Sequence, residues 1–407
     1  MGKTMRVLCT VNASPSHARK FIPIARALLN AGHEVLFVTS EATARALRGE
    51  PFAIHTALPD TIYQWTWMML AAGTEADAAG GTPRMPASDE TELLNKAFAA
   101  KGWREQFVRA IDIARSYRPD LLLRDDFDCV GYVTAEALGV PHVTMSGGTT
   151  NPLDPRRLAD PLAAHGPKFG VGTSGHGLYG YGRVDHVPAQ YDFTKYEWPR
   201  TLRFRQPVLT RPGESLPSWI VDLPATRPLV FAAVGTALPV QIELQRDGVR
   251  LPTSLDPHVR LRLVLDALSQ LDCVAVVATG GIDVSDLPRA DHVHVCDYVP
   301  QPLVLEVADL FLTHGGYNGI REALRSGVPM VVHPQWADQP HNAARVAELG
   351  LGVAIEDPDV NDVLKACDGV LADPAFRTRA RAARKHMLAL PEVSSAPQAF
   401  EQLLARQ

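Results

Sequence analysis

The sequence predicts an α/β protein made of two consecutive doubly wound halves, each a parallel sheet with helices on both faces. Three observations carry this expectation. Continuous apolar runs of strand length alternate with stretches of helical period, as expected of strands covered on both faces. The alternation starts twice, at "MRVLCTV" and again at "RPLVFAAVGT" (227–236). Between the two starts lies "LTRPGESLPSWIVDLPATRP", rich in proline and without strong periodicity, which places a seam near residues 209 to 228. The 407 residues suffice for two or three domains at roughly 150 residues each.

In chain order, "MRVLCTV" reads as a buried strand and "NASPSH" as a polar turn. Phe21, Ile24, Ala25 and Leu28 follow at i, i+3, i+4 and i+7, a helical stripe that closes near Gly32. "NAGHEVLFVT" then opens a second, parallel strand. "RPDLLLRD", a helix through "GYVTAEALG", and "VPHVTMS" continue the pattern. Residues 165–186, "HGPKFGVGTSGHGLYGYGRVDH", are too glycine-rich to pack and read as a mobile loop or lid. They contain Gly170-x-Gly172-x-x-Gly175, formally a dinucleotide fingerprint. "HGPKF" is no strand and "HGLYGYG" cannot open a helix, so no NAD or flavin site is expected. The second half continues with "LDCVAVVATGG", "DHVHVCDYV", "ADLFLTHGG" and "VPMVVHP", and the tail reads as two helices joined at Pro391.

Composition narrows the function classes. The balance of 40 Lys+Arg against 45 Asp+Glu leaves a net charge of −5, with no basic field for nucleic acid and no tract for a membrane surface. Five scattered cysteines without a CxxC pair fit a reducing cytosol. No signal h-region precedes the first strand and no apolar run reaches ~18 residues. The expectation is a soluble cytoplasmic protein. GxxxxGK[ST] occurs nowhere, which argues against an NTP-hydrolysing P-loop.

"LTHGGYNGIREALRSGVPMVVHPQWADQPHNAARVAELG", residues 312 to 350, is the most informative stretch. "ADLFLT" should be a strand and "YNGIREALRS" the helix after it. His314-Gly315-Gly316 then sits at the carboxyl end of a parallel strand and the amino end of a helix. Main-chain N–H groups and the positive end of the helix dipole converge there, ready for an anion such as phosphate. The competing reading is a tight turn with a satisfied histidine. In the first half, His17 follows the first strand, where α/β sites gather, and titrates near neutrality as a general base must. The competing reading there is a helix cap beside Ser14 and Ser16. Asp125 ends "PDLLLRD" and belongs to "DDFD", which with Asp126 and Asp128 also reads as a divalent-cation DxD site.

The run His314-Gly315-Gly316-Tyr317-Asn318-Gly319, Glu322-Ala323-Leu324, Gly327-Val328-Pro329, Pro334-Gln335, Asp338-Gln339 and Asn342-Ala343 resembles the donor-sugar signature of the UDP-glycosyltransferase superfamily. It is most similar to the bacterial branch acting on antibiotics and other secondary metabolites. The likeness extends upstream through "HVCDYVPQPLVL" and, more loosely, over "SPSHARKFIPIARALLNAGHEVLFVT" and "RPDLLLRDDFDCVGYVTAEALGVPHV". It implies the GT-B fold, two Rossmann-like domains facing a central cleft. Residues 1–212 would bind the acceptor and 213–390 the nucleotide sugar, with 391–407 a C-terminal helix packing back on the first domain.

The resemblance also implies roles. Tyr298 would stack on the pyrimidine, Val299 would offer main-chain contacts to the base, and Gln301 would lie near the nucleoside. Thr236, His314, Gly315, Gly316, Asn318 and Gly319 would surround the diphosphate. Glu322 would meet the ribose, and Asp338 with Gln339 the sugar hydroxyls. His17 would be the catalytic base and Asp125 its orienting carboxylate. Trp65, Trp67, Phe98, Trp103 and Phe107 fall where the family lines its acceptor pocket, although an aromatic stripe at helical spacing also reads as core.

Two departures stand out. Gly319 replaces a Ser or Thr that would give the α-phosphate a hydroxyl, and a long polar loop follows Thr236. The expected activity is an inverting, metal-independent hexosyl transfer from a UDP- or TDP-sugar to a hydroxyl of a hydrophobic metabolite. No prosthetic group, obligatory metal, nucleic acid or membrane partner is expected, and a homodimer is compatible with the sequence. The alternatives are a non-catalytic GT-B-like partner that activates another enzyme, or a different nucleotide-sugar enzyme such as an epimerase.

Overall fold

The computed structural model describes residues 4–11, 14–60, 103–126, 128–149, 151–152, 177, 179–211, 213–235, 242, 245–246, 256–335 and 337–405, without the side chains of residues 103 and 104. The first sheet comprises β1 (Arg6–Val11), β2 (Glu34–Ser40), β3 (Ala53–Leu58), β4 (Leu121–Asp125), β5 (His142–Met145), β6 (Arg183–Asp185) and β7 (Thr201–Arg203). Their spatial order is β3-β2-β1-β4-β5-β6-β7. The second comprises β8 (Leu229–Ala233), β9 (Val274–Ala278), β10 (Val293–Cys296), β11 (Leu310–Thr313), β12 (Met330–Val332) and β13 (Gly352–Ala354). Its order is β10-β9-β8-β11-β12-β13. All pairings among the described residues are parallel.

The continuous apolar runs follow from burial on both faces. In β1, Val7, Cys9 and Val11 pack with Phe21, Ile24 and Leu28 on one side, while Leu8 joins Phe107, Leu122 and Val130 on the other. In β11, Leu310 and Leu312 face one core and Phe311 the other, where it stacks on Phe231 at 5.3 Å. Each fully buried Val, Leu, Ile or Phe contributes roughly 1.5–3 kcal/mol. The helix Ala396–Leu404 returns to the first half and buries Phe400 and Leu403 in the cluster that holds Leu28 and Phe37.

Both sheets reverse their strand order beside their first strand. β1 lies between β2 and β4, and β8 between β9 and β11. Ligands bind open α/β sheets at the carboxyl ends of such switch points. The two halves also touch. The Tyr317 hydroxyl donates to Asp185 Oδ2 at 3.0 Å, Asn318 Nδ2 to the Ser16 carbonyl at 3.2 Å, and Arg321 to the Ser146 carbonyl at 3.3 Å.

Several details differ from the expectations. "NASPSH" is not wholly a turn: Ser14 caps a short helix, α1 (Pro15–Arg19), and the apolar stripe belongs largely to a second helix, α2 (Ile22–Asn30). Pro23 explains the break, since inside one continuous helix its ring would clash with the Arg19 carbonyl, whereas near a helix start it is tolerated. The expected loop 165–186 ends in β6, whose three residues are buried between β5 and β7. Its charges are neutralised internally: Arg183 reaches Asp185 at 3.0 Å and Asp192 at 2.6 Å. The Gly170–Gly175 run lies outside the described residues. The first strand of the second half ends at Ala233, and Thr236 lies outside the described residues, as does most of the polar loop after it. Two sheet-edge strands, β3 (AIHTAL) and β7 (TLR), have no continuous apolar run, as fits strands at the margins of the sheet. Among the described residues, no helix is long and apolar enough to cross a membrane.

Candidate active site

Ser14 fixes the start of α1, its Oγ accepting the His17 N–H at 3.4 Å. This sets the imidazole over the carboxyl end of β4, where Nδ1 lies 2.7 Å from Asp125 Oδ2. Asp125 is 1% exposed. Burial alone would push the His17 pKa down, but the Asp125 charge and hydrogen bond outweigh it and the net shift is upward. Burial likewise opposes ionisation of Asp125, yet His17 and the Lys20 ammonium hold its pKa well below the usual carboxylate range. Asp128, the third acid of "DDFD", caps the helix Cys129–Leu138 by accepting the Val130 N–H at 2.9 Å. Burial pushes its pKa up to about 6.

His17, Asp125 and Asp126 each place a ligand-type atom within 4.8 Å of the others, the one such group among the described residues. Lys20 already lies among them: its ammonium pairs with Asp125 Oδ1 and sits 3.0 Å from Asp126 Oδ1. A divalent cation between these carboxylates would meet a buried positive charge, so this set does not fit a metal site.

At the facing switch point, β11 runs into His314-Gly315-Gly316 and then the helix Tyr317–Ser326, closed by Gly327 in the left-handed conformation. The glycines are sterically required. Gly315 has φ +85°, and a Cβ there would lie 2.7 Å from Val332 Cγ1. A Cβ on Gly316 would lie 2.5 Å from His314 Nε2, and one on Gly235, beyond β8, 3.0 Å from the same atom. The imidazole is thus clasped between two glycines. Burial, reinforced by the nearby Arg260 charge, lowers the His314 pKa to about 4, so the ring is neutral near pH 7. Gly316 supplies no capping side chain, and the first-turn N–H groups have no intrahelical acceptor. The positive end of the helix is therefore left without a side-chain cap.

The other expected donor contacts lie around this turn. Glu322 Oε2 accepts from Gln301 Nε2 at 2.6 Å, and burial raises its pKa, partly offset by Arg19 from the first half. Asn318 is held by the Ser16 carbonyl and by Arg321. A Cβ at Gly319 would come 3.3 Å from the Phe311 ring, which gives the missing hydroxyl side chain a packing reason. The Tyr298 ring is 44% exposed, with the Arg211 guanidinium 4.3 Å from its centroid and its hydroxyl donating to Glu214 at 2.7 Å. The Val299 side chain is core.

Asp338 precedes the helix Gln339–Glu348 and accepts from Asn342 Nδ2 at 2.6 Å. Burial raises its pKa to about 6; Asp126 adds to the rise and His17 opposes it, so this carboxyl from the second half feels the first-half cluster. Gln339 is 6% exposed and closes its own loop by accepting the Gln335 N–H at 2.9 Å.

Sequence reasoning gave no role to Lys20, Tyr317, Arg321 or Asn342. Asn342 bridges Asp338, the Gly315 carbonyl and, across the halves, Asn151. Helical spacing was the available signal: Lys20 is i+3 from His17, and Asn342 is i+4 from Asp338. Of the aromatic group, Trp65, Trp67 and Phe98 lie outside the described residues, as does the Trp103 side chain. Phe107 is fully buried and packs beside Leu8, Leu36 and Leu122 in the core of the first half.

Residues 262–403 match the family described as erythromycin biosynthesis protein CIII-like, C-terminal domain. The chain is 26% identical to an erythronolide mycarosyltransferase of Saccharopolyspora erythraea, covering 99% of both chains. It is 27% identical to a tylactone mycaminosyltransferase of Streptomyces fradiae, covering 98% of this chain and 93% of that one. Among solved structures, it is similar to the glycosyltransferase VinC in complex with dTDP, with a TM-score of 0.75, 23% identity, and coverage of 99% and 100% of the two chains.

Proposed function

The chain falls in the bacterial secondary-metabolite branch of the GT-B glycosyltransferases, and from that premise we propose an inverting, metal-independent transfer of a hexose or deoxyhexose from a TDP- or UDP-sugar to a hydroxyl of an apolar metabolite. The observation that carries the reading is the 2.7 Å His17–Asp125 pair, placed one residue from the Ser16 carbonyl that Asn318 of the His-Gly-Gly helix touches. A base and an anion-binding turn thereby share one cleft.

The step follows from that placement. With Nδ1 engaged by Asp125, Nε2 carries the free lone pair and takes the proton of the acceptor hydroxyl. The oxygen attacks the anomeric carbon from the face opposite the diphosphate. The bond from that carbon to the β-phosphate oxygen breaks, and its electron pair leaves with the nucleoside diphosphate. The amino end of the helix Tyr317–Ser326 stabilises the negative charge, in place of a metal. Glu322 holds the ribose, Tyr298 the base, and Asp338 with Gln339 the sugar. One displacement inverts the anomeric configuration. In this reading residues 1–212 hold the acceptor and residues 213–390 the donor.

Two relatives are named for sugar transfer to erythronolide and tylactone, and the VinC structure is a complex with dTDP, which supports a TDP-sugar donor and a secondary-metabolite acceptor here. The test is incubation with TDP- and UDP-sugars and a panel of hydroxylated apolar acceptors, with and without EDTA. Products are read by mass spectrometry and their anomeric configuration by NMR. Inverted product insensitive to EDTA is expected. Retained configuration or metal dependence would contradict the mechanism, and donor binding without turnover on any acceptor would favour the non-catalytic reading.

A further inference from the structure

Two buried charges beside the base have no part in the step above. Lys20 is 5% exposed and Asp126 is fully buried. Lys20 follows His17 by three residues, and its backbone is still helical, so the two side chains leave one face of the chain. Asp125 is shared between them, Oδ2 toward His17 and Oδ1 toward Lys20, and Lys20 also holds Asp126 at 3.0 Å. On the reading of His17 as the base, we propose that Lys20 is a positioning residue whose buried ammonium pins the carboxylate that orients His17 and cancels the second carboxylate next to it.

The argument is one of charge and space. Two buried carboxylates and one ammonium sum to a single negative charge, and protonated His17 brings the group to zero. The cluster is therefore neutral in the state that forms when the imidazole takes the acceptor proton. Without the ammonium, two buried negative charges would remain, and such charges are tolerated only when paired or protonated. His17 would then hold its proton at neutral pH and lose its free lone pair. The surroundings are fitted to the ammonium. A Cβ at Gly147, in the loop after β5, would strike Lys20 Nζ and lie 2.6 Å from Asp126 Oδ1, so this loop closes over the pair only as glycine.

The charged groups that reach His17 are Asp125 and Asp126 at the end of β4, Lys20 on its own segment, and Asp338 from the second half. Arg19 acts on Glu322, and Glu41 and Arg45, on the elements packed behind α1, are exposed. Among these, Lys20 is the cation that opposes protonation of His17.

The test compares Lys20→Met, Lys20→Arg and the double variant Lys20→Met/Asp126→Asn. It reads kcat, TDP affinity by calorimetry, and the His17 titration by NMR of nitrogen-labelled histidine, assigned with His17→Gln. Lys20→Met is expected to lower kcat at neutral pH by about 10- to 100-fold, part of the worth of a general base. TDP affinity should stay within about twofold, and the His17 titration should move to higher pH by about one unit or more. Removing Asp126 as well takes away the uncancelled charge and should restore kcat to within about tenfold of the parent. Lys20→Arg, which keeps the charge, should outperform Lys20→Met. If Lys20→Met does not fold, the double and Lys20→Arg variants carry the comparison. An unshifted His17 titration and parent-like kcat in Lys20→Met would overturn the proposal, as would a double variant no better than the single. Failure of the base reading looks different: transfer would survive in His17→Ala while the Lys20 series still shifted the titration.

Discussion

The two switch points are built from opposite materials. At the carboxyl ends of β1 and β4, four ionisable side chains, His17, Lys20, Asp125 and Asp126, cluster so that both carboxylates lie between the imidazole and the ammonium, and Asp125 raises the His17 pKa. At the ends of β8 and β11, the corresponding crevice is made of glycine, main-chain amides and a histidine kept neutral by burial. One edge is suited to moving a proton and the other to holding an anion. A proton-moving site depends on charge balance, which conservative substitutions upset without disturbing the fold. An anion-holding turn depends on backbone geometry, which a single methyl group disturbs. Damage at the two edges should therefore appear in different measured quantities.

The largest expected effect is at the base. His17→Ala should cost about 10²–10⁴ in kcat while leaving TDP affinity within about twofold. Asp125→Asn should follow, with kcat reduced by about 10² and a displaced pH profile. The sign is fixed by the contacts: the Asp125 charge and hydrogen bond raise the His17 pKa, so their loss moves the acid limb of kcat to lower pH. Gly315→Ala tests the other edge. A Cβ at φ +85° and 2.7 Å from Val332 should cost about 1–3 kcal/mol of stability, read as a lowered Tm. It should weaken TDP binding more than it lowers kcat at saturating donor. The smallest effect is expected for Glu322→Gln, which keeps the size and loses the carboxylate, at about 1 kcal/mol or roughly fivefold in TDP affinity. A kcat loss in Glu322→Gln as large as that of Asp125→Asn would erase the division between the edges.

How much of this was legible depended on where each residue's partners lie. Strands such as β1 and β11 announce themselves because both faces are buried and most of their residues are apolar. The His-Gly-Gly turn was legible because a strand-to-helix corner with a positive φ demands glycine, and that demand is local. β6 was not legible, since Arg183 and Asp185 read as solvent-facing until Asp192 and Tyr317 are brought to them from elsewhere. Lys20 was hidden for the same reason: its partners are more than a hundred residues away in sequence and become neighbours only because β1 pairs with β4. The break between α1 and α2 depended on one proline that the apolar stripe masked. Patterns that one segment can satisfy alone are readable, and buried charge that needs two segments is not.

The most direct measurement is a calorimetric titration of TDP into His17→Ala and Gly315→Ala beside the parent. If the diphosphate is held by the second half and the proton is moved by the first, His17→Ala binds TDP like the parent while transferring sugar about 10²–10⁴-fold more slowly, and Gly315→Ala binds TDP more weakly. A loss of TDP binding in His17→Ala equal to that in Gly315→Ala would contradict the division.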